Sequence, residues 1–226
     1  MSMKANDYSG SSNYEAPDPL EPGAYNARVV HVLNTGLQPR NPYRGEEKTP
    51  KIMFSITYEL ADEFLSDEDG EPDLTKPRWV SESFPINSLD SERAKSTARY
   101  LALDPSNEHD GDWSELVGLP CVVTLVQNRS KKNEKVIYNN VASVQPMRSK
   151  DASKLGPLVG EPKLFDFYDP DVKVFLSLPP FIQKMIKGGL DFKGSKLEKL
   201  LEDVDTDKKK SDKKTVKDEE ETDDNW

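Results

Sequence analysis

Sulfur and imidazole are scarce in this 226-residue chain: it has one cysteine, Cys121, and two histidines, His31 and His109. A disulfide framework is excluded, and a structural zinc site lacks the ligands it needs. The lone thiol fits a reducing cytosol. Long apolar runs are missing too. Nothing approaches the roughly 20 consecutive apolar residues of a membrane span, and the opening MSMKANDYSGSSNYEAPDP has no apolar stretch to act as a signal peptide. With 35% hydrophobic residues and a mean hydropathy of −0.76, the chain is expected to build a modest core with disordered ends.

The residue patterns of common catalytic centres are also absent. There is no glycine-rich phosphate loop, no GxSxG and no HExxH. His31 falls inside a strand pattern and reads as a structural histidine. Glu108-His109-Asp110 sits beside Gly111 and reads as a solvated turn. Cys121 lies in a strand with no base nearby in sequence and reads as packing. Asp67-Glu68-Asp69-Gly70 is similar to the start of a calcium loop, but the position that needs a glutamate is Arg78. The expectation is a binding protein, not an enzyme, with no cofactor or metal.

What is present is charge, unevenly placed. The formal net charge is −10. Residues 202–226 contribute −5, residues 62–73 contribute −7 with no basic residue, and residues 1–19 contribute −2. The remainder is net +4, so a mildly basic body carries acidic appendages. The chain ends in Asp218, Glu219, Glu220, Glu221, Thr222, Asp223, Asp224, Asn225 and Trp226. Six carboxylates leave this run too little apolar surface to fold, while Trp226 supplies an aromatic anchor. Such a tail suits docking into basic grooves, by competing with nucleic acid or by binding partner proteins.

Periodicity supplies the architecture. Ala24–Leu33 is rich in β-branched residues and reads as a strand, followed by a long loop, Asn34–Pro50. In Lys51–Leu60, Ile52, Phe54, Ile56, Tyr58 and Leu60 alternate with Met53, Ser55, Thr57 and Glu59, the period of a half-buried strand. An acidic loop, Asp62–Asp73, precedes a third strand, Pro77–Ile86. Ser88–Leu103 reads as a helix capped by Ser88 or Ser91, and Asp112–Gly118 as one more helical turn. Leu119–Asn128 and Lys135–Met147 complete the set as a hairpin of strands. Three strands, a helix and two strands over this length match a mainly β fold, a five-stranded OB-fold barrel with its helix between strands three and four, and the same order is shared by other small barrels and by an open α+β sheet. The layout is then a disordered arm at 1–19, the OB-fold domain at 20–148, a linker at 149–165, a helical extension at 166–205 and a disordered acidic tail at 206–226. The extension carries Phe175, Leu176, Leu178, Phe181, Ile182, Met185 and Ile186, which must pack on the barrel, on another copy of the chain in a homo-oligomer, or on a partner.

An OB-fold binds oligonucleotides on its second and third strands, flanked by the loops joining strands one to two and four to five. Here those two loops are basic. The first offers Arg40, Tyr43, Arg44 and Lys48; the second offers Arg129, Lys131, Lys132 and Lys135. Cations track phosphates and aromatics stack on bases. Trp79, beside Arg78, alternates with Ser81 and Ser83, which leaves two settings for it: the face opposite Val80 and Phe84, or packing in the core. It and Tyr43 are the stacking candidates, with Tyr138 as a third.

On these features the chain resembles bacteriophage-encoded single-stranded DNA-binding proteins of the T7 type, which join an OB-fold core to a C-terminal extension and an acidic tail ending in an aromatic. The tail DEEETDDNW matches that pattern, with Trp in place of Phe. LEPGAYNARVVHVL, GLPCVVTLVQN and VIYNNVASVQP are similar to phage proteins found near replication and recombination genes. The acidic insertion Asp62–Asp73 and the helical segment before the tail depart from the pattern. The resemblance implies non-sequence-specific coating of single-stranded DNA in replication and recombination, in the cytoplasm of an infected bacterial host. It also implies recruitment of phage DNA polymerase, helicase-primase or recombination proteins through Asp218–Glu221, Asp223, Asp224 and Trp226. The rival reading is an acidic regulatory protein, a DNA mimic that inhibits a host nucleic-acid enzyme. It requires negative charge on the folded face, which the +4 body does not supply.

Overall fold

The computed structural model describes residues 17–130, 133 and 136–204, with backbone alone at Tyr43. The arm before Pro17, the cations Lys131, Lys132 and Lys135, and the acidic tail lie outside the described residues. Among the described residues, no helix is long and apolar enough to cross a membrane.

The elements run β1 (Gly23–Tyr43), β2 (Glu46–Ser66), β3 (Pro72–Pro85), α1 (Lys95–Leu103), a 3-10 turn (Trp113–Leu116), β4 (Pro120–Arg129), β5 (Ile137–Pro146), α2 (Ser149–Ala152), β6 (Lys163–Asp166), α3 (Val172–Ser177) and α4 (Pro180–Lys187). A last helix, α5, covers residues 196–204. The protein is mainly β, with one sheet ordered β3-β2-β1-β4-β5. β4 pairs with the first part of β1 (23–28), and β6 pairs in parallel with the part that follows (31–34). The other pairings are antiparallel. The sheet is not closed, because β3 and β5 are its two ends.

Two expected loops are strands. The segment Asn34–Pro50 forms a ladder in which Arg40 pairs with Lys48 and Tyr43 with Glu46. Arg44 (φ 53°) and Gly45 (φ 84°) turn the chain; positive φ at both central residues defines the tight turn that matches strand twist. The acidic Asp62–Asp73 is likewise a hairpin. The Asp67 carboxylate accepts the N–H groups of Asp69 (3.0 Å) and Glu71 (2.9 Å), and Gly70 turns at φ 86°. Both segments had looked like loops because polar residues and prolines hide the alternation.

Inward alternation builds the first core. Ala27, Val29, Val32, Ile56, Tyr58, Leu60, Val80, Phe84, Val123 and Leu125 meet Tyr100 and Leu103 of α1 and the ring of Trp113. Cys121 is fully buried here, and burial pushes its thiol up to about 12, so it packs as an inert group. A bulge between Val29 and His31 shifts the register of β1. Beyond it Leu33 joins a second core with Phe165, Phe167, Phe175, Leu178, Ile182, Ile186 and Leu197. The C-terminal extension therefore packs on its own sheet. Leu176 and Phe181 are the exceptions, 47% and 70% exposed.

Glu82 is an acid at an inward position of β3, between Val80 and Phe84. Arg99 of α1 donates to both its oxygens (2.6 and 3.2 Å) and, through Nη2, to the Ala142 carbonyl of β5 (3.2 Å). Tyr58 Oη (3.0 Å) and Lys95 (2.7 Å) complete the carboxylate. The helix starts at Ala94 without a side-chain cap, contrary to the expectation for Ser88 or Ser91; those serines shape the preceding turn. The buried ion pair compensates the missing cap by fixing α1 across the end strands. Glu82→Ala would strand the buried guanidinium, and is expected to cost about 3–5 kcal/mol in urea unfolding.

Candidate nucleic-acid interface

The structure sorts the sequence-derived candidates into two groups. Arg78, Trp79 and Tyr138 line one cleft of about 300 Å³ between β3 and β5, closed below by Pro19, Leu20 and Val80. Trp79 is 44% exposed and Tyr138 54%. Alternation along β3 places Trp79 outward, opposite Val80 and Phe84. Tyr138 pairs with Asn128 and Arg129 with Ile137, so Arg129 lies on the opposite face of β4 from the partner of Tyr138 and is not among the residues that line the cleft. Arg40, Arg44 and Lys48 form the second group, on the hairpin of β1 and β2. Trp79 pairs with Glu59, and 13 residue steps along β2 separate Glu59 from Glu46 at the hairpin end. At the rise of an extended strand that is about 40 Å of path. The basic hairpin thus stands about that far along β2 from the aromatic cleft.

The cleft is held open from below. Leu20 donates its N–H to Asn139 Oδ1 (2.8 Å), and its carbonyl accepts from Asn139 Nδ2 (2.7 Å) and Gln127 Nε2 (3.0 Å). Arg78 Nη2 donates to the Asp18 carbonyl (2.6 Å). Residues 17–20 therefore bridge the end strands where a sheet ladder would otherwise run.

The residues expected to be a plain linker form a strap over the outer face of the sheet. Arg28 donates to the carbonyls of Gly156 (2.8 Å) and Leu155 (3.1 Å). Glu59, only 5% exposed, accepts from Val159 N–H (2.7 Å), Gly160 N–H (2.8 Å) and Trp79 Nε1 (3.1 Å). These three donors satisfy a buried carboxylate without a cation, and they fix the indole to the strap. His31 meets the indole edge-on at 4.9 Å, and its Nε2 lies 3.3 Å from the Glu161 carbonyl. Sequence reasoning missed Glu59, Gly160 and the strap. An isolated acid at an outward strand position gives no local sign that it will be covered.

A second groove, about 550 Å³, has Phe54, Trp113, Leu164 and Phe165 in its walls and Asp112, Asp166, Asp169 and Asp171 around it. These carboxylates serve the fold: Asp112 and Asp171 cap the 3-10 turn and α3, Asp166 accepts from Asn34 (2.9 Å), and Asp169 meets Lys196 (2.6 Å). Their charge disfavours phosphate there. Comparison with protein families and with characterised proteins finds no match for this chain.

Burial lowers the pKa of His31 below its ordinary 6.5, and the nearby Lys163 adds to this, outweighing the opposing contact with the Glu161 carbonyl. The folded protein therefore binds its proton less readily than the unfolded chain. Stability from the neutral ring is full above pH 6.5 and drains as pH falls toward the lowered value. The melting temperature should drop through that window, and His31→Phe should flatten this component of the profile.

Proposed function

We propose that the protein binds single-stranded DNA without strong sequence preference, as an OB-type barrel opened along the seam between β3 and β5. The observation that carries this reading is the convergence of Trp79, Tyr138 and Arg78 in one cleft. Two exposed rings offer π-faces to bases, and a guanidinium lines the same walls. That combination suits an unstacked strand and offers little to a paired duplex. The strand order supports the OB-type reading: closing the sheet would join β3 to β5. The basic hairpin about 40 Å along β2 supplies a second contact for phosphates. That spacing fits a strand of several nucleotides, within the roughly 4–16 that OB domains accommodate. In the phage setting that the resemblance implies, the protein coats single strands in the host cytoplasm, and the tail recruits polymerase, helicase-primase or recombination proteins.

Affinity for an oligonucleotide should exceed that for the matching duplex and fall steeply with salt as counterions are released. Equal or absent binding to both at low salt would sink the proposal. Tyr138→Ala should weaken single-strand binding by roughly 1–3 kcal/mol in a fluorescence titration, as expected for loss of one stack. Removing Asp218–Trp226 should raise affinity most at low salt, since the carboxylates then no longer compete for the basic surface. An unchanged affinity would mark the tail as a solubility device.

A further inference from the structure

The indole of Trp79 is held on three sides. Its Nε1 donates to Glu59 at 3.1 Å, the His31 ring meets it edge-on at 4.9 Å, and Gly160 lies directly against its six-membered ring. A Cβ at position 160 would overlap Trp79 Cζ2 and stand 2.7 Å from Glu59 Oε2. Only glycine lets the strap lie this close. The same Glu59 carboxylate takes the backbone N–H groups of Val159 and Gly160, so strap and indole share one anchor. The indole nevertheless keeps 44% of its surface exposed and lines the cleft opposite Tyr138.

We propose that Glu59 and Gly160 are positioning residues for nucleic-acid binding: they latch the strap of the C-terminal extension beneath Trp79 and hold its ring as a pre-set platform for an unpaired base. The proposal rests on the single-strand reading above and deepens it. A freely rotating tryptophan must lose its rotamer freedom when a base stacks on it, whereas a ring already fixed by the fold does not. The extension, otherwise a covering of the outer sheet, thereby becomes part of the binding site. It also explains a costly arrangement. A carboxylate buried without a cation is retained where three N–H groups, one from the indole and two from the strap, need a common acceptor.

The test uses the full chain and three replacements. Gly160→Val drives a side chain into the indole. Glu59→Gln preserves volume but turns one acceptor into a donor facing N–H groups. Trp79→Ala removes the platform. In protein labelled with 5-fluorotryptophan, the 19F resonance of Trp79, assigned by Trp79→Phe, should shift and broaden in both latch variants while that of the buried Trp113 stays in place. Single-strand affinity should fall roughly two- to tenfold, the range for newly immobilising one side chain, with an unchanged salt dependence because no phosphate contact is lost. In the Trp79→Ala background, Gly160→Val should have no further effect. Equal losses in both backgrounds would show that the strap acts on the fold at large and would overturn the inference. Higher affinity in Gly160→Val would overturn it too, making the strap a cover instead. If the wild-type chain fails to bind single strands, the functional reading falls and takes this inference with it. If the wild type binds and the latch variants bind equally well, only the inference falls.

Discussion

Arg99 holds the end strands of this sheet together. Its guanidinium reaches Glu82 on β3 and the Ala142 carbonyl on β5, two strands that share no ladder. An open seam leaves backbone groups on both ends without partners, and end strands left so invite pairing with other chains. Here α1 and residues 17–20 occupy that gap, one through a buried ion pair and one through Asn139 and Arg78. Replacing the ladder by side chains has a consequence for function. A ladder would have drawn β3 and β5 together, whereas the bridged seam leaves space between Trp79 and Tyr138.

The two faces of β2 are stabilised by different physics. Ile56, Tyr58 and Leu60 point into an apolar core, where burial supplies the driving force. Ser55, Thr57 and Glu59 point outward yet are equally buried, at 3%, 6% and 5% exposure. Their cover is satisfied by specific hydrogen bonds, such as Thr57 to Ser81 at 2.9 Å and Glu59 to the strap. Directional contacts hold a covering segment in one register where apolar contacts would let it slide. That is why the indole of Trp79 has a defined pose on the outward face of the sheet.

Strand order and the helix after β3 were legible because hydrophobic alternation survives in Lys51–Leu60 and in Leu119–Asn128. The exposed setting of Trp79 was one of the two that the same alternation left open. The hairpin extensions of β1 and β2 were not legible, since a ladder standing clear of the core needs no apolar face and leaves no period to read. β6 escaped notice because Lys163–Asp166 is only four residues long and follows Pro162. The aromatic cleft was half legible: its residues were identified one by one, but their convergence depends on a pairing register that no local pattern encodes. Of the two basic segments, the second has Lys131, Lys132 and Lys135 outside the described residues. The first became a long hairpin that carries Arg40 and Arg44 away from Trp79.

That hairpin also shows how unevenly the net charge of −10 is placed. β2 runs from the basic turn at one end to the acidic turn at the other, with Glu46 and Ser66 at its limits. Twenty residue steps correspond to about 65 Å of strand path. Charges in water are screened over roughly 8–10 Å at physiological ionic strength; Glu46 and Glu47 share the hairpin of Arg44, whereas the carboxylates around Asp67 lie at the other end of β2. The acidity of the whole favours repulsion from other acidic surfaces, while the local potential at Arg40 and at Arg78 is set by the charges within a screening length of each. A mimic of DNA needs its negative charge on a contiguous folded face. In this protein the acidic hairpin is confined to one end of the sheet, and the groove carboxylates around Phe54 and Trp113 are drawn into caps and pairs that serve the fold.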